Sequence, residues 1–552
     1  MNVNTLFGRG PLLAALTCGA LMAYAAPQKP NVLIIVADDL GFSDIGCYGS
    51  EIATPNLDSL AANGLRFTQC YNTARCWPTR SALVTGYYPQ QTRSDPSRGR
   101  FPEWTRTLAH WLKPAGYACY HSGKWHVNGA PNVVANGGFD ASYALHDHDR
   151  NFYPKNHTEN DKPLPPVAKD ANYYSTTAFT DHAIRCLKEH AEKRPGQPFF
   201  SYVAYTAPHF PLQAPEADIA RYRTRYSDGW DAIRAERLSR MSAMGIVNCG
   251  LAAAERDVGP PYRFPDALKT LGPNEVDRPL PWDELTPEQR AFQAEKMAIH
   301  AAMVHCMDRE IGRLLGQLRD MGVYDDTLVM FLSDNGASAE IMVRGDGHDP
   351  AAPMGSGASY LCLGPGWSTA ANTPLRRHKT WVHEGGIATP LVVHWPAGIP
   401  DRNALRHDLC HVIDFVPTIL ELAGLAPAPL PQGSPPFPGV SLAPAFAADH
   451  ALTRDTLYFS HEGNRALRVG NYKLVSATRD ANTWALYDLA TDRCEQRNLA
   501  PAQPQRVQDM AARWSALDAQ FKKDAGLPDE PKPTATLPLT PRQQLALTYE
   551  ND

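Results

Sequence analysis

Asp38-Asp39 and Asp334-Asn335 are two short oxygen-bearing pairs, and each closes an apolar run. Both offer hard ligands and neither brings His or Cys, so together they suit a hard divalent cation. An isolated Asp-Asp is most often a solvated turn; the second pair in the same setting is what points to a metal. The run Cys76-Trp77-Pro78-Thr79-Arg80 places a thiol two residues before a proline and four before an arginine. Left alone, such a cysteine is usually a buried thiol or a disulfide partner. Gly123-Lys124-Trp125-His126, Ala207-Pro208-His209-Phe210-Pro211 and Lys379 add two lysines and two histidines. Each of these signals is weak alone: a Lys and a His two apart can form a polar turn, and a His flanked by prolines is often a rigid loop residue.

The stretch from Cys76 to Gly86, with Leu83 and Thr85-Gly86 after Arg80, resembles the signature of the type I, formylglycine-dependent sulfatases. Many sulfatases continue Thr-Gly with Arg, where this chain has Tyr87. Further sulfatase-like motifs follow in order from residue 31 to about residue 499, including Lys379 ahead of Glu384-Gly385-Gly386-Ile387. The resemblance implies an alkaline-phosphatase-like fold and a sulfuric ester hydrolase of the arylsulfatase type. It implies that a formylglycine-generating enzyme oxidises Cys76 to an aldehyde whose hydrate has two hydroxyls. One attacks the sulfur of a sulfate ester, and the other lets the sulfated intermediate collapse and expel sulfate.

The same resemblance implies Ca2+ held by Asp38, Asp39, Asp334 and Asn335 with the residue at position 76, Mg2+ being the less favoured ion. Arg80 would offset a developing alkoxide, and Lys124 would bridge sulfate and nucleophile. His126 would take the proton from the remaining hydroxyl, while His209 and Lys379 would act on the bridging ester oxygen. Pro78 is expected to begin a helix whose free N–H groups favour an anion. His383 is left structural. Two other readings stay open. A phosphate or phosphonate ester hydrolase could use the same site, because tetrahedral oxyanions look alike. A binder of sulfated glycans with unmodified Cys76 would need charge but not the proton-transfer set. A redox role for Cys76 is weakest, since no cysteine lies at Cys-x-x-Cys spacing.

These residues need a scaffold that brings distant segments together. Asn31 to Ala37, Phe199 to Tyr205 and Thr327 to Ser333 are continuous apolar runs, the pattern of strands buried on both faces. Pro390 to Trp395 is a shorter version, and Tyr117 to His121 a further candidate. Thr54-Pro55 predicts a helix start and Gly64 its end. Met303, Met307, Ile311, Leu314, Leu318 and Met321 mark one face of a long helix. Strands alternating with helices predict an α/β domain with a large, mainly parallel or mixed sheet. Ligands of such sheets bind beyond the carboxyl ends of the strands, where Asp38-Asp39, His209 and Asp334-Asn335 fall.

The expected organisation is a signal peptide at 1–25, a catalytic α/β domain at 26–448, a small C-terminal antiparallel sheet with a helix at 449–525, and a Pro-rich tail at 526–552. Candidate strands in the small domain are Thr456 to Ser460, Arg465 to Val469, Tyr472 to Ala477 and Trp484 to Leu489, with a helix from about Pro501 to Lys523. Gly470-Asn471 is a hairpin signal. The segment 211–295 carries no recognised motif and is expected to be an insertion near the site mouth. Arg9, the apolar Pro11 to Met22 and Ala23-Tyr24-Ala25 read as a secretory signal, too short for a membrane span. The protein is therefore expected to meet a secretion machinery and to be periplasmic or extracellular. With 43% apolar and 20% charged residues the chain is globular, and a net charge of -5 gives no footprint for nucleic acid.

Overall fold

Asn31-Val-Leu-Ile-Ile-Val-Ala37 forms strand β1 and is buried along its whole length. The computed structural model describes Met1 and residues 29–527, except 263, 264, 345, 346, 427 and 455. The signal-peptide and tail expectations therefore fall outside the described residues, apart from the first residues of the tail. Ten further strands join β1 in one sheet: β2 (Leu65–Tyr71), β3 (Ala118–Gly123), β4 (Ala141–Leu145), β5 (His157–Glu159), β6 (Lys162–Pro163), β7 (Phe199–Ala204), β8 (Thr327–Ser333), β9 (Ala388–His394), β10 (Ala404–Arg406) and β11 (Cys410–His411). Their order is β10-β2-β9-β8-β1-β7-β3-β4-β5-β6, with β11 beside β2.

The central strands β8, β1, β7, β3 and β4 are parallel neighbours. Strand β9 runs antiparallel to both β8 and β2, so the sheet is mixed. Alternation along β1 feeds two cores. Leu33, Ile35 and Ala37 face one layer, and Val32, Ile34 and Val36 the other. Each fully buried aliphatic side chain there is worth about 1.5–3 kcal/mol.

The long helix Pro287–Asp320 covers the first layer and presents Met303, Met307, Ile311, Leu314 and Leu318 to it, as the spacing predicts. Thr286 and Gln289 close a capping box at its start, at 3.2 and 3.0 Å. The helix Pro55–Ala62 begins at the expected proline, but Thr54 does not cap it. Its hydroxyl instead accepts from Gly46 N at 2.8 Å and donates to Asp58 at 3.1 Å.

A second, four-stranded antiparallel sheet holds β12 (Thr456–His461), β13 (Asn464–Val469), β14 (Tyr472–Ser476) and β15 (Ala485–Asp488) in sequence order. Gly470-Asn471 makes the expected turn, since Val469 pairs with Tyr472 across it. The helix Pro504–Asp524 packs on this sheet, where Trp514 stacks on Tyr458 at 5.4 Å and donates to Phe459 O at 3.0 Å. Among the described residues, no helix is long and apolar enough to cross a membrane.

His378 and His411 are wholly enclosed in these layers, and burial pushes both down to about 3. An unfolded histidine titrates near 6.5, so between roughly pH 6.5 and 3 the unfolded chain binds protons that the fold refuses. Stability is therefore present above this window and falls as pH drops through it, by about 1.4 kcal/mol per pH unit for each such ring. The thermal midpoint, followed by calorimetry from pH 7.5 to 5, is expected to hold above about pH 6.5 and to fall below it; a profile flat down to pH 5 would contradict the neutral buried rings.

Candidate active site

Hydrogen bonding continues past the strand ends and gathers the polar residues there. Asp38 N donates to Ala207 O at 3.0 Å, Asp334 N to Ala37 O at 3.1 Å and Lys124 N to Ala204 O at 2.8 Å. Asp38, His209, Asp334 and Lys124 thus leave four adjacent strands, β1, β7, β8 and β3, at one edge. The antiparallel direction of β9 brings its lead-in loop, with Lys379, to that same edge. Strand β2 ends there too and delivers Cys76.

The helix after β2 runs Cys76–Thr85, so it begins at Cys76 and not at Pro78. Arg75 is its N-cap in extended conformation, and Cys76 occupies the first turn with its sulfur at the positive end of the helix. All ten residues of this helix are buried. Thr73 N donates to Thr79 Oγ1 at 3.0 Å, which fixes the entry to the helix.

Around the sulfur lies a buried mesh of opposite charges. Lys124 Nζ donates to Asp38 Oδ2 at 2.5 Å, and Arg80 Nε to Asp334 Oδ2 at 2.8 Å. Arg80 Nη1 also donates to Lys124 O at 2.6 Å. Lys379 Nζ donates to Asp39 Oδ2 at 2.8 Å, and His209 Nε2 stands 3.7 Å from the same oxygen. His209 Nδ1 donates to Phe210 O at 2.6 Å, which leaves Nε2 as the nitrogen that faces the site. Burial alone would raise the Asp38 carboxyl, but Lys124, His209, Arg80 and Lys379 hold it well below the carboxylate range. Asp334 is pushed up to about 7, first by burial and then by the neighbouring Asp38. Burial, followed by Lys124 and Arg80, keeps His126 neutral far below the usual histidine value.

The oxygen donors fit a cation. Asp38 Oδ1 and Asn335 Oδ1 are buried with no hydrogen-bond partner, at adjacent strand ends. Asn335 Nδ2 donates to Asp39 Oδ1 at 2.7 Å, so the amide is turned with its oxygen unpaired. Ligand atoms of Asp38, Cys76 and Asp334 lie within 4.8 Å of one another, as do those of Asp38, Asp39 and His209. Two carboxylates this close, with orphaned acceptors beside them, suit a hard divalent ion.

All ten residues expected from sequence come together here, and the structure adds two. Glu340 accepts from Arg75 Nη2 at 3.0 Å and lies 3.2 Å from Lys379 Nζ. It thereby holds the lysine between two carboxylates and keeps it protonated. His148 places its ring 5.0 Å from that of His126 and 5.5 Å from that of His209, centroid to centroid. No motif marks either residue. Proximity of Glu340 to Asp334-Asn335 in sequence was the only signal, and His148 had none beyond its place in a His-Asp-His run. Backbone strain also concentrates at the site: Asp39, Ala74, His126 and Thr380 all have positive φ, at 61°, 67°, 52° and 85°. His383, expected to be structural, is buried as the N-cap of the short helix Glu384–Ile387.

A cavity of about 280 Å³ adjoins the site, lined by Arg150, Phe152, Tyr153, Lys169, His348 and Tyr360 among others. The ring of Tyr360 lies 6.2 Å from Phe210, beside His209. Among the described residues of the segment 211–295, Gln213 alone lines this cavity. Most of that segment packs elsewhere: Trp230 and Trp282 meet Trp367, and Arg237 pairs with Asp44 at 2.6 Å. Part of the segment does reach the site's surroundings, since Tyr262 places its ring 5.0 Å from the Arg75 guanidinium and Glu255 holds Arg376 and Arg377 ahead of Lys379; the cavity itself is lined by the stretches 150–169 and 347–360.

A doubly covered mixed sheet, with a thiol at a helix start and oxygen pairs facing lysines and histidines, defines an esterase for tetrahedral oxyanions. The profile of the Sulfatase family matches residues 30–425, and that of the N-sulphoglucosamine sulphohydrolase C-terminal region matches residues 377–520. The chain belongs to the sulfatase family. It is 32% identical over 554 residues to an uncharacterized sulfatase of Schizosaccharomyces pombe, covering 90% of this chain and 94% of that protein. It is also 32% identical over 472 residues to an arylsulfatase of Klebsiella aerogenes, covering 79% and 96%. Among solved structures, Ps i-CgsB in complex with k-i-k-neocarrahexaose aligns with a TM-score of 0.64 at 24% identity, covering 91% of this chain and 95% of that one. These likenesses bear out the expected fold and the sulfatase assignment.

Glu340→Gln keeps the shape and removes the charge that pairs with Lys379. The expected result is a kcat at least about tenfold lower, or roughly 1.4 kcal/mol of barrier, together with a lower thermal midpoint because the buried Arg75 loses its carboxylate partner. Wild-type turnover in steady-state assays would contradict a positioning role for Glu340.

Proposed function

We propose that this sulfatase is an exported enzyme that hydrolyses sulfate monoesters through a formylglycine at position 76 and a bound divalent cation, Ca2+ in preference to Mg2+. The observation that carries this reading is the set of unpaired, buried oxygens of Asp38 and Asn335 beside the Cys76 sulfur, ringed by Arg80, Lys124 and Lys379. Asp38, Asp39, Asp334 and Asn335 would hold the ion, with the residue at position 76 completing the set. When bound, it would lower the cost of ionising a hydroxyl and neutralise a sulfate oxygen. The formylglycine hydrate would supply both the attacking hydroxyl and the one whose ionisation expels sulfate. A formylglycine-generating enzyme has to convert the thiol to the aldehyde, and the signal-like residues 1–25 have to be read by a secretion machinery.

This chain's own side chains do the rest. Lys124, held by Asp38, and Lys379, held by Asp39, would bring fixed positive charge to the sulfate oxygens. Arg80 is clamped by Asp334 and by the Lys124 carbonyl, so its guanidinium cannot swing away as charge develops at position 76. His126 is held neutral, the form able to accept a proton from the second hydroxyl. His209 presents Nε2 to the site and, with Lys379, would hold a proton or positive charge at the departing alcohol oxygen. The net change is one sulfate monoester and one water giving an alcohol and sulfate with release of a proton.

The alcohol half would occupy the cavity beside Tyr360 and Arg150. Tyr153, Phe152 and Tyr360 offer ring faces, and Arg150, Lys169 and His348 offer polar groups. That mixture suits an aryl or a carbohydrate sulfate. Among the solved neighbours, BT4656 is described in complex with its substrate D-glucosamine-2-N,6-O-disulfate, at 20% identity.

The reading is tested on the tryptic peptide Cys76 to Arg80 from protein co-expressed with a formylglycine-generating enzyme. Mass spectrometry is expected to find an aldehyde or its hydrate, and Cys76→Ala is expected to abolish turnover of aryl sulfates. An unmodified thiol, or a Cys76→Ala enzyme that still turns over, overturns the mechanism. Faster cleavage of a matched phosphate ester would move the assignment to phosphoryl chemistry. Asp334→Ala is expected to lose both bound metal and rate; unchanged metal by elemental analysis would contradict the ligand set.

A further inference from the structure

Cys249 and Cys494 are 245 residues apart in sequence, yet their sulfurs lie 3.0 Å from each other. Cys494 Sγ also lies 2.9 Å from Gly250 O. Cys494 is buried, whereas Cys249 is partly exposed and reachable from solvent. No catalytic step described above uses either thiol. We propose that Cys249 and Cys494 are a disulfide-forming pair that closes in an oxidising environment and straps the segment after the helix Gly229–Ala243 to the C-terminal sheet domain.

The surroundings give the pair a direction of reaction. The hydrogen bond from Cys494 holds the Cys249 thiol below its usual value, against burial and with help from Arg493. The same contact, together with burial, pushes Cys494 up. Cys249 is therefore the first nucleophile. Its thiolate attacks one sulfur of a small or protein disulfide, such as glutathione disulfide; that S–S bond breaks and one thiolate leaves. Cys494 then loses its proton to solvent and attacks the Cys249 sulfur, expelling the second thiolate. Two protein thiols are oxidised to one disulfide, and one external disulfide is reduced to two thiols.

The strap crosses the loop that carries Lys379. Ala252 N donates to Pro374 O at 2.9 Å, and Ala253 N donates to Gln496 Oε1 at 3.0 Å. Glu255 takes Arg376 at 2.5 Å and Arg377 at 3.2 Å, two to three residues before Lys379. Beside Cys494, Glu495 accepts from Glu384 N at 2.9 Å. The residues flanking both cysteines therefore hold this loop from two sides, and a covalent bond between them would close the brace.

Whether Cys76 is modified does not enter the test, which reads thiols and unfolding instead of turnover. The reduced, purified full-length chain is incubated with glutathione disulfide, alkylated, and mapped without reductant. The expected result is a linked peptide joining Cys249 to Cys494, and a thermal midpoint higher by about 5 °C than that of the reduced protein, as closing so long a loop implies. Cys249→Ser and Cys494→Ser, with Cys494→Ala as a second replacement for the buried position, are expected to lose the rise while keeping the reduced midpoint. Both thiols remaining open to alkylation after oxidation, a link to some other cysteine, or a rise that persists in the single variants would each overturn the proposal.

Discussion

The structure is organised around ionic groups that water cannot reach. Asp38, Asp334, Arg80 and Lys124 are fully buried, and Asp39 and Lys379 nearly so. Removing each ion from water costs several kcal/mol, and mutual attraction offsets that only when geometry is close. Apolar residues of equal volume would stabilise the sheet edge better, so stability does not explain the cluster. Burial first, and then the neighbouring Asp38, push Asp334 up to about 7 even though Arg80 and Lys124 pull it down. A divalent ion would offset that charge, and the unpaired oxygens of Asp38 and Asn335 stand where it would bind.

Holding such a cluster requires a rigid frame, and the sheet supplies it. The in-register pairing of β1 with β8, from Asn31 with Thr327 to Ala37 with Ser333, fixes Asp38 against Asp334 through backbone bonds alone. The reversed strand β9 has a separate consequence. A parallel strand in its place would start at the far edge and carry Lys379 away from Asp39.

Much of this was legible in sequence because it depends on local pattern. Continuous apolar runs gave β1, β7 and β8 to within a residue, and Gly470-Asn471 gave the turn between β13 and β14. The sulfatase-like motifs named ten residues that the fold gathers at one edge, since most of those motifs follow a strand or open a helix. What escaped has long-range causes. The helix start at Cys76 instead of Pro78 depends on Arg75 being held extended, with its guanidinium on Thr380 at 2.6 Å and on Glu340. Glu340 and His148 act through partners far away in sequence, so no spacing rule could find them. The part of 211–295 that lies on the flank was not legible, because the tryptophan cluster and the buried Arg237 that hold it there meet their partners only in the folded molecule.

The loop that carries Lys379 shows why composition there is narrow. Gly336 N donates to Gly386 O at 3.1 Å, and Lys379 N to Ala337 O at 3.1 Å. A Cβ on Gly336 would stand 1.8 Å from Gly385 O, and one on Gly386 would stand 1.9 Å from Trp381 O. Neither contact can be relieved by moving a flexible side chain, because both obstacles are backbone. Gly386 therefore lets the loop that carries Lys379 fold tightly on itself at Trp381, and Gly336 lets the segment after Asp334-Asn335 touch that loop main chain to main chain. That contact sets the separation between the oxygen cluster and Lys379, with Glu340 clamping the lysine and Arg75 clamping Glu340 in turn. The glycine spacing is thus part of the electrostatic design: a side chain at Gly336 would force the two segments apart, and one at Gly386 would open the Lys379 loop itself, so either would disturb the charges whose closeness defines the site.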